Sequence, residues 1–284
     1  MGKVLREDDE LTEETLEGPG EAAPEGSRMR RMRLTVSYDG SAYFGWQVQP
    51  GLPTVQGEVQ RVLSRIEGAP VKVHGSGRTD AGVHALAQVL AFDLRNPIPA
   101  ENLQRAVNRL LPTDIRVTEA METNADFHPR FHATAKTYRY RTFRGLVCPP
   151  FERCYAWHNP YPLNEAAMGA CAKQFEGVHD FRAFAASDER YTGDADMRRE
   201  IFSASLHRDD LLLQFEVRGS GFLKHMVRNL MGTLVEVGVG NLRDEDVQEM
   251  LRTGIRHAGI RTVPANGLFL VSVEYGAGRS TADC

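Results

Sequence analysis

The chain has 284 residues, 42% hydrophobic and 25% charged, with a net charge of −4, a make-up that excludes a fibrous or low-complexity protein and leaves room for two domains. No apolar run approaches a bilayer span, and the start is acidic rather than basic and then apolar, so a cytoplasmic protein with no membrane partner is expected. The four cysteines, Cys148, Cys154, Cys171 and Cys284, lack Cys-x-x-Cys spacing and zinc-finger histidines, which argues against a disulfide framework or a structural metal.

Charge is spread unevenly. Residues 1–27 hold nine acids and two bases, a net −7 that leaves +3 for the remainder. With Gly18-Pro19-Gly20 and few large apolar residues, residues 1–29 are expected to form a disordered acidic extension. The body beyond them is mildly basic, with clusters at Arg28–Arg33 and at Arg139, Arg141 and Arg144 that give some support to a nucleic-acid partner.

Leu34, Val36 and Tyr38 alternate as a strand that ends at the turn pair Asp39-Gly40. Thr54 is placed to cap a helix whose Val55, Val59, Val62, Leu63 and Ile66 share one face. A short strand over 71–74 leads to a glycine-rich loop, and another strand follows over 88–94. Leu103, Val107, Leu110 and Leu111 mark a second helix, stopped by Pro112, before a strand over 115–120. A similar order then recurs: a strand over 137–143, a helix over 165–175, and a strand pair over 201–206 and 211–217. A long helix over 222–237, a short one over 244–252 and a final strand over 268–275 close the chain.

The pattern is α+β, two α/β halves whose helices cover one sheet face. We divide it into an N-terminal domain, 30–130, and a C-terminal domain, 131–276, with a flexible tail over 277–284. The boundary falls within 126–135. Segments 145–154 and 187–198 read as long surface loops.

Three segments carry chemistry. Gly75-Ser-Gly-Arg78-Thr-Asp80-Ala-Gly-Val-His-Ala85 sets one acid among glycines with an arginine two residues before it. Glycines permit tight turns and close approach of a ligand, and a neighbouring arginine favours the ionised carboxylate. The same residues also suit an ordinary turn pinned by an Asp–Arg bond. In Lys136-Thr-Tyr138-Arg-Tyr140-Arg, alternation puts Tyr138, Tyr140 and Thr142 on one face, and Arg139, Arg141 and Phe143 on the other. Aromatic rings beside bases suit stacking on unpaired RNA bases, although two core tyrosines with a solvated basic face fit the pattern as well. In Gly219–Gly232, Phe222, Met226, Leu230 and Leu234 form a buried helical stripe, with Lys224, His225 and Arg228 on another flank. An inner guanidinium there calls for an anionic partner; a surface pair with a glutamate is the ordinary alternative.

Other patterns point away from cofactors. Gly75-Ser-Gly77 lacks the third glycine of a dinucleotide fingerprint. His74, His84, His128 and His132 are not at metal-ligand spacing. Trp46 and Trp157 read as core or cleft-wall residues.

The segment around Asp80 resembles the signature of the TruA-type tRNA pseudouridine synthases. The resemblance runs from about Arg33 to Tyr275 through Tyr38–Gln47, Thr54–Gln56, Phe127–Phe131, Tyr138–Tyr140, Gly177–Phe184, Phe222–Gly232 and Pro264–Leu268. Val263, where alanine is more usual, and the acidic extension depart from the pattern away from the expected site. The resemblance implies two related α/β halves with joined, mostly antiparallel sheets around a positively charged cleft, and a homodimer. It implies isomerisation of uridine in the anticodon stem-loop of tRNA, with no cofactor and no metal. It makes Asp80 the catalytic aspartate, Arg228 its ion-pair partner and Tyr138 the ring against the uracil. Arg78 would contact RNA and help occupy the space left by the extruded base, and Phe127, His128, Arg130 and Phe131 would touch the tRNA. An RNA-binding protein on the same scaffold without turnover is the alternative.

Overall fold

The computed structural model describes residues 28–186 and 195–276. The expected acidic extension, apart from Arg28 and Met29, lies outside them, as do the tail 277–284 and residues 187–194 of the expected second loop. The first half contains β1 (Arg30–Tyr38), α1 (Val55–Glu67), β2 (His74–Gly75), β3 (His84–Leu94), α2 (Ala100–Leu110) and β4 (Ile115–Thr123). The second contains β5 (Ala133–Phe143), β6 (Trp157–His158), α3 (Glu165–Lys173), β7 (Gly177–Asp180), β8 (Arg198–Asp209), β9 (Leu212–Gly219), α4 (Met226–Val239), α5 (Asp244–Thr253) and β10 (Leu268–Tyr275).

The strands form one sheet in the order β4-β1-β3-β10-β5-β9-β8-β7, with β2 on β3 and β6 on β5. Pairing is antiparallel except at β10–β3 and β5–β6. The expected α+β fold with joined, mostly antiparallel sheets is therefore present. The join is made by the last strand in the sequence. β10 lies between β3 of the first half and β5 of the second, matching Phe269 to His84 on one side and Tyr140 on the other side to Leu268.

Burial explains why the elements form where they do. Met32, Leu34, Val36 and Tyr38 of β1 join Tyr138 and Tyr140 of β5 and the apolar stripes of all five helices in one buried cluster. Successive strand residues face opposite ways, so the helices cover a single face. Thr54 caps α1 by accepting from the Gly57 amide at 3.3 Å, and Gly68 closes that helix in the left-handed region. None of the helices among the described residues is long and apolar enough to cross a membrane.

Three expectations are corrected. Most of 71–74 is not strand: only His74 and Gly75 pair with β3. The backbone of Val71 and Val73 is engaged by side chains of α1 instead. The Val71 and Val73 amides donate to Ser64 and Gln60, and Gln56 donates to the Val73 carbonyl at 2.8 Å. The long helix starts at Met226 rather than Phe222, because His225 sits at φ 60° and breaks the helical path. Lys224 and His225 therefore do not share a helical flank with Arg228. Leu223 is buried ahead of the helix, and the Phe222 ring packs edge-on against Tyr138, so both apolar side chains find partners without helical turns. Finally, β5 begins at Ala133 rather than at residue 137.

Candidate active site

Residues 76–83 connect β2 to β3 and carry Asp80. This loop is fixed from several sides. The Ser76 amide donates to the Val89 carbonyl at 2.8 Å. Ser76 Oγ bonds to Gln88 Oε1, and Gln88 Nε2 donates to the Gly77 carbonyl at 3.0 Å. Both Ser76 and Gln88 are fully buried. Thr79 shares a 2.8 Å bond with the Tyr38 hydroxyl, and its carbonyl accepts from the Trp46 amide at 3.1 Å. Gly45 has φ +87°, and a Cβ there would lie 2.5 Å from the Thr79 carbonyl oxygen. Only glycine permits that approach. The segment Tyr38–Gln47 is thus a strap across the back of the Asp80 loop.

Arg228 reaches Asp80 from the other half. It lies in the first turn of α4, where Nε donates to the Val263 carbonyl at 2.8 Å and an Nη donates to Asp80 Oδ2 at 3.2 Å. Two carbonyl and carboxylate contacts on one planar group fix its direction as well as its charge. The segment that supplies Val263 is pressed against α4, because Gly232 has no side chain: a Cβ there would fall 2.1 Å from the Arg261 carbonyl oxygen. Farther along, the Pro264 carbonyl accepts from the Tyr140 hydroxyl at 2.7 Å. The chain therefore enters β10 with both ends of this connection anchored. Tyr140 serves that framework and is fully buried.

His225 is a neighbour of Asp80 that the sequence reading assigned to a helix flank and not to the site. Its Nε2 lies 3.5 Å from Asp80 Oδ2. Burial, with added repulsion from Arg228, Lys224 and Arg256, lowers its pKa in spite of the Asp80 carboxylate. The lowering favours the neutral imidazole, and Arg228 makes the closer contact with Asp80, at 3.2 Å. Its positive φ, uncommon for a residue with a side chain, was the feature that the sequence could not display.

Asp80 opens into a cleft of about 1000 Å³. Tyr138, Trp46, Phe222 and Leu223 supply apolar wall, and Lys72, Arg78, Arg130, Lys136 and Lys224 supply positive charge, against the single carboxylate of Asp80. Burial, reinforced by Asp80, holds the Tyr138 phenol well above its ordinary pKa, so the ring presents a neutral hydroxyl. At the rim, Phe131 is 73% exposed and stacks on His128 at 4.3 Å, with the Arg130 guanidinium 5.8 Å from its ring centre. His128 Nδ1 accepts from the Arg130 and Phe131 amides, and burial, with nearby positive groups, lowers its pKa, which favours the neutral ring.

The expected residues are thus brought together unevenly. Asp80, Tyr138, Arg78, His128, Arg130 and Phe131 line the cleft, and Arg228 backs it. Phe127 does not line it: it is buried with Val89 and Ala91 and packs against Tyr275. Arg78 is not on Asp80. Its Nε donates to Gln47 Oε1 at 3.1 Å, which leaves Arg228 to pair with the carboxylate. The basic clusters noted in the sequence lie elsewhere too. Arg30, Arg31, Arg139, Arg141 and Arg144 pair with Glu122, Asp93, Glu216, Glu152 and Glu165. The positive lining of the cleft comes instead from bases scattered singly along the chain. Among the described residues, no group of three or more His, Cys, Asp or Glu is placed to hold a metal ion.

A family profile described as tRNA pseudouridine synthase matches residues 34–132 and 171–276. The chain is 58% identical over 247 residues to a tRNA pseudouridine synthase A of Solibacter usitatus, covering 87% of this chain and 100% of that protein. It is 42% identical over 250 residues to the protein of that name in Lacticaseibacillus casei, covering 87% and 100%. With the Moorella thermoacetica protein of that name, identity is 43% over 246 residues, covering 86% and 99%.

Proposed function

This chain belongs to the tRNA pseudouridine synthase family and isomerises uridine to pseudouridine in tRNA, and from that premise we propose how its own residues do so. The reaction breaks the N1–C1′ bond of uridine and joins C5 to C1′. The C5 hydrogen leaves as a proton and N1 gains one, so atoms and electrons balance without an added reactant. We assign the nucleophile to the Asp80 carboxylate, directed at the target nucleotide. The observation that carries this assignment is the Asp80–Arg228 pair at 3.2 Å, at the floor of a cation-lined cleft with the Tyr138 ring in its wall.

The target base must leave its stack, at a cost of a few kcal/mol. Stacking on an aromatic ring returns about 1–3 kcal/mol, and we assign that ring to Tyr138, which lines the same cleft as Asp80. With its phenol held above the ordinary range, Tyr138 positions the base rather than serving as a base. Arg228 opposes the carboxylate charge as the entering nucleotide displaces water. Arg78, His128, Arg130 and Phe131 hold flanking RNA, and buried Phe127 supports the segment that displays the last three.

We further propose that the targets lie in the anticodon stem-loop and that the enzyme works in the cytoplasm, where its substrate is. The division into 30–130 and 131–276 remains our reading, with Asp80 from one unit and Arg228 from the other. A homodimer is supported by the loop over 145–154, whose Leu146, Val147 and Phe151 are 86, 77 and 89% exposed, an apolar surface that a second copy would cover. Light scattering is expected to give twice the chain mass, and a monomer at all concentrations would overturn this. Incubation with tRNA carrying 5-tritiated uridine is expected to release tritium at anticodon-arm positions. Absence of release would sink the isomerase reading, and release confined to another arm would sink the positional one.

A further inference from the structure

Of the cations that line the cleft, Lys136 is the one that, among the described residues, also bonds to the Asp80 loop. Lys136 lies in β5 two residues before Tyr138, so both side chains leave the same face of the strand. Its Nζ donates to the Ser76 carbonyl at 2.7 Å and would sit 3.3 Å from a Cβ at Gly77. The ammonium thus rests on the backbone of the loop that carries Asp80. Arg139 and Arg141, the next bases along β5, are paired with Glu216 and Glu152. Lys136 differs: among the described residues it has no carboxylate partner, and the charged group that bears on it is Arg130, which repels it. Burial and that repulsion bring its pKa down to about 8.

An ammonium has three donors, and the Ser76 carbonyl uses one. The remaining two and an unopposed, half-buried charge face the cleft, an arrangement that becomes favourable when an anion arrives. A substrate that threads a phosphodiester chain past Tyr138 brings such an anion. We propose that Lys136 binds a non-bridging phosphate oxygen next to the uridine turned toward Asp80, fixing how deeply that nucleotide enters. This rests on the assignment of Asp80 and Tyr138 to the target nucleotide. Lys136 is then a binding and positioning residue, and the rival role is a simple tether of the Asp80 loop through Ser76.

Salt dependence separates the two. The full chain is titrated with a tRNA transcript at pH 7 over a range of NaCl, as the parent, Lys136→Met and Lys136→Arg, all carrying Asp80→Asn to prevent turnover. Each phosphate contact contributes about 0.7–0.9 to the slope of log Kd against log salt. Lys136→Met is expected to lose about that much slope, and Lys136→Arg to keep it. An unchanged slope in Lys136→Met overturns the proposal, whatever happens to its melting temperature.

Should Lys136→Met fail to fold, the parent and Lys136→Arg are compared from pH 7 to 8.5. The other titratable and charged groups that line the cleft, Lys72, His74, Arg78, His128, Arg130, Tyr138, Lys224 and His225, are common to both proteins, as is Asp80→Asn. Loss of the lysine proton should raise the parent Kd by up to about fourfold relative to the arginine variant, which stays charged. Coincident curves overturn the proposal. Tritium release by the protein with Asp80 intact is measured separately, so failure of the isomerase reading and failure of this one give different results.

Discussion

Asp80→Asn is expected to lower single-turnover tritium release by at least about 10⁴-fold while leaving the Kd for tRNA within about threefold. The substitution keeps shape and removes only the negative charge and nucleophilicity of one oxygen. Loss of one member of a nucleophilic catalytic unit costs between about 10⁴ and 10⁶ in rate, and 10⁴ corresponds to about 5.5 kcal/mol of barrier. Binding should survive because the residues proposed to hold the RNA, Arg78, Arg130, Lys136 and Phe131, make no hydrogen bond or ion pair with Asp80 among the described residues. The loop should survive as well. Its anchors are Ser76–Gln88, Thr79–Tyr38 and the Trp46 amide, and the Asp80 side chain is in none of them. Asp80→Ala is measured beside it to guard against deamidation of the asparagine. A rate within tenfold of the parent in both variants would remove Asp80 from the chemistry, even if tRNA remained the substrate.

Much of the framework was legible because it is local. Alternation of Leu34, Val36 and Tyr38, the Thr54 cap and the Leu268–Tyr275 run each depend on neighbours in sequence, and each forms as the pattern implies. Glycine positions were legible only as glycines. That Gly45 lies against Thr79, and Gly232 against Arg261, depends on segments more than twenty residues away. The insertion of β10 between β3 and β5 is a long-range choice that no periodicity encodes. The site divides in the same way. Family resemblance pointed to Asp80, Tyr138 and Arg228, but charge patterning misled: the arginines of β1 and β5 found carboxylates on neighbouring strands or, for Arg141, in the loop at Glu152, and solitary bases line the cleft. Arg78, closest in sequence to Asp80, turns to Gln47, while Arg228, 148 positions away, makes the contact. Proximity along a tight turn says little about side-chain direction. His225 was placed on a helix flank rather than in the site because apolar spacing at Phe222 and Met226 imitates a helix that begins four residues later.

Arg228→Met is expected to reduce kcat about 10²–10³-fold, or about 2.7–4 kcal/mol, with KM for tRNA changed by less than about threefold. The reason is a difference between the free and the occupied cleft. In the free enzyme the Asp80 side chain is 27% exposed and that of Arg228 15% exposed, so water shares in solvating the carboxylate. Removing the guanidinium there leaves a carboxylate that water still reaches, at the added cost of the bond to the Val263 carbonyl, typically about 1–3 kcal/mol of folding stability. Once a nucleotide fills the cleft, that water is displaced and the counter-charge matters far more. The loss in the chemical step should therefore exceed what the drop in melting temperature accounts for. Arg228→Lys tests direction apart from charge. A lysine places one ammonium where the guanidinium bonded both the Val263 carbonyl and Asp80, so recovery should be partial, within about tenfold of the methionine variant. Gly232→Ala offers an independent probe, since its Cβ would force α4 away from Arg261 and carry Arg228 with it. It should lower kcat in the same sense as Arg228→Lys while leaving every charge in place. If Arg228→Met instead raised KM with kcat intact, Arg228 would be an RNA-binding group that happens to touch Asp80. The ion pair would then have no part in the isomerisation.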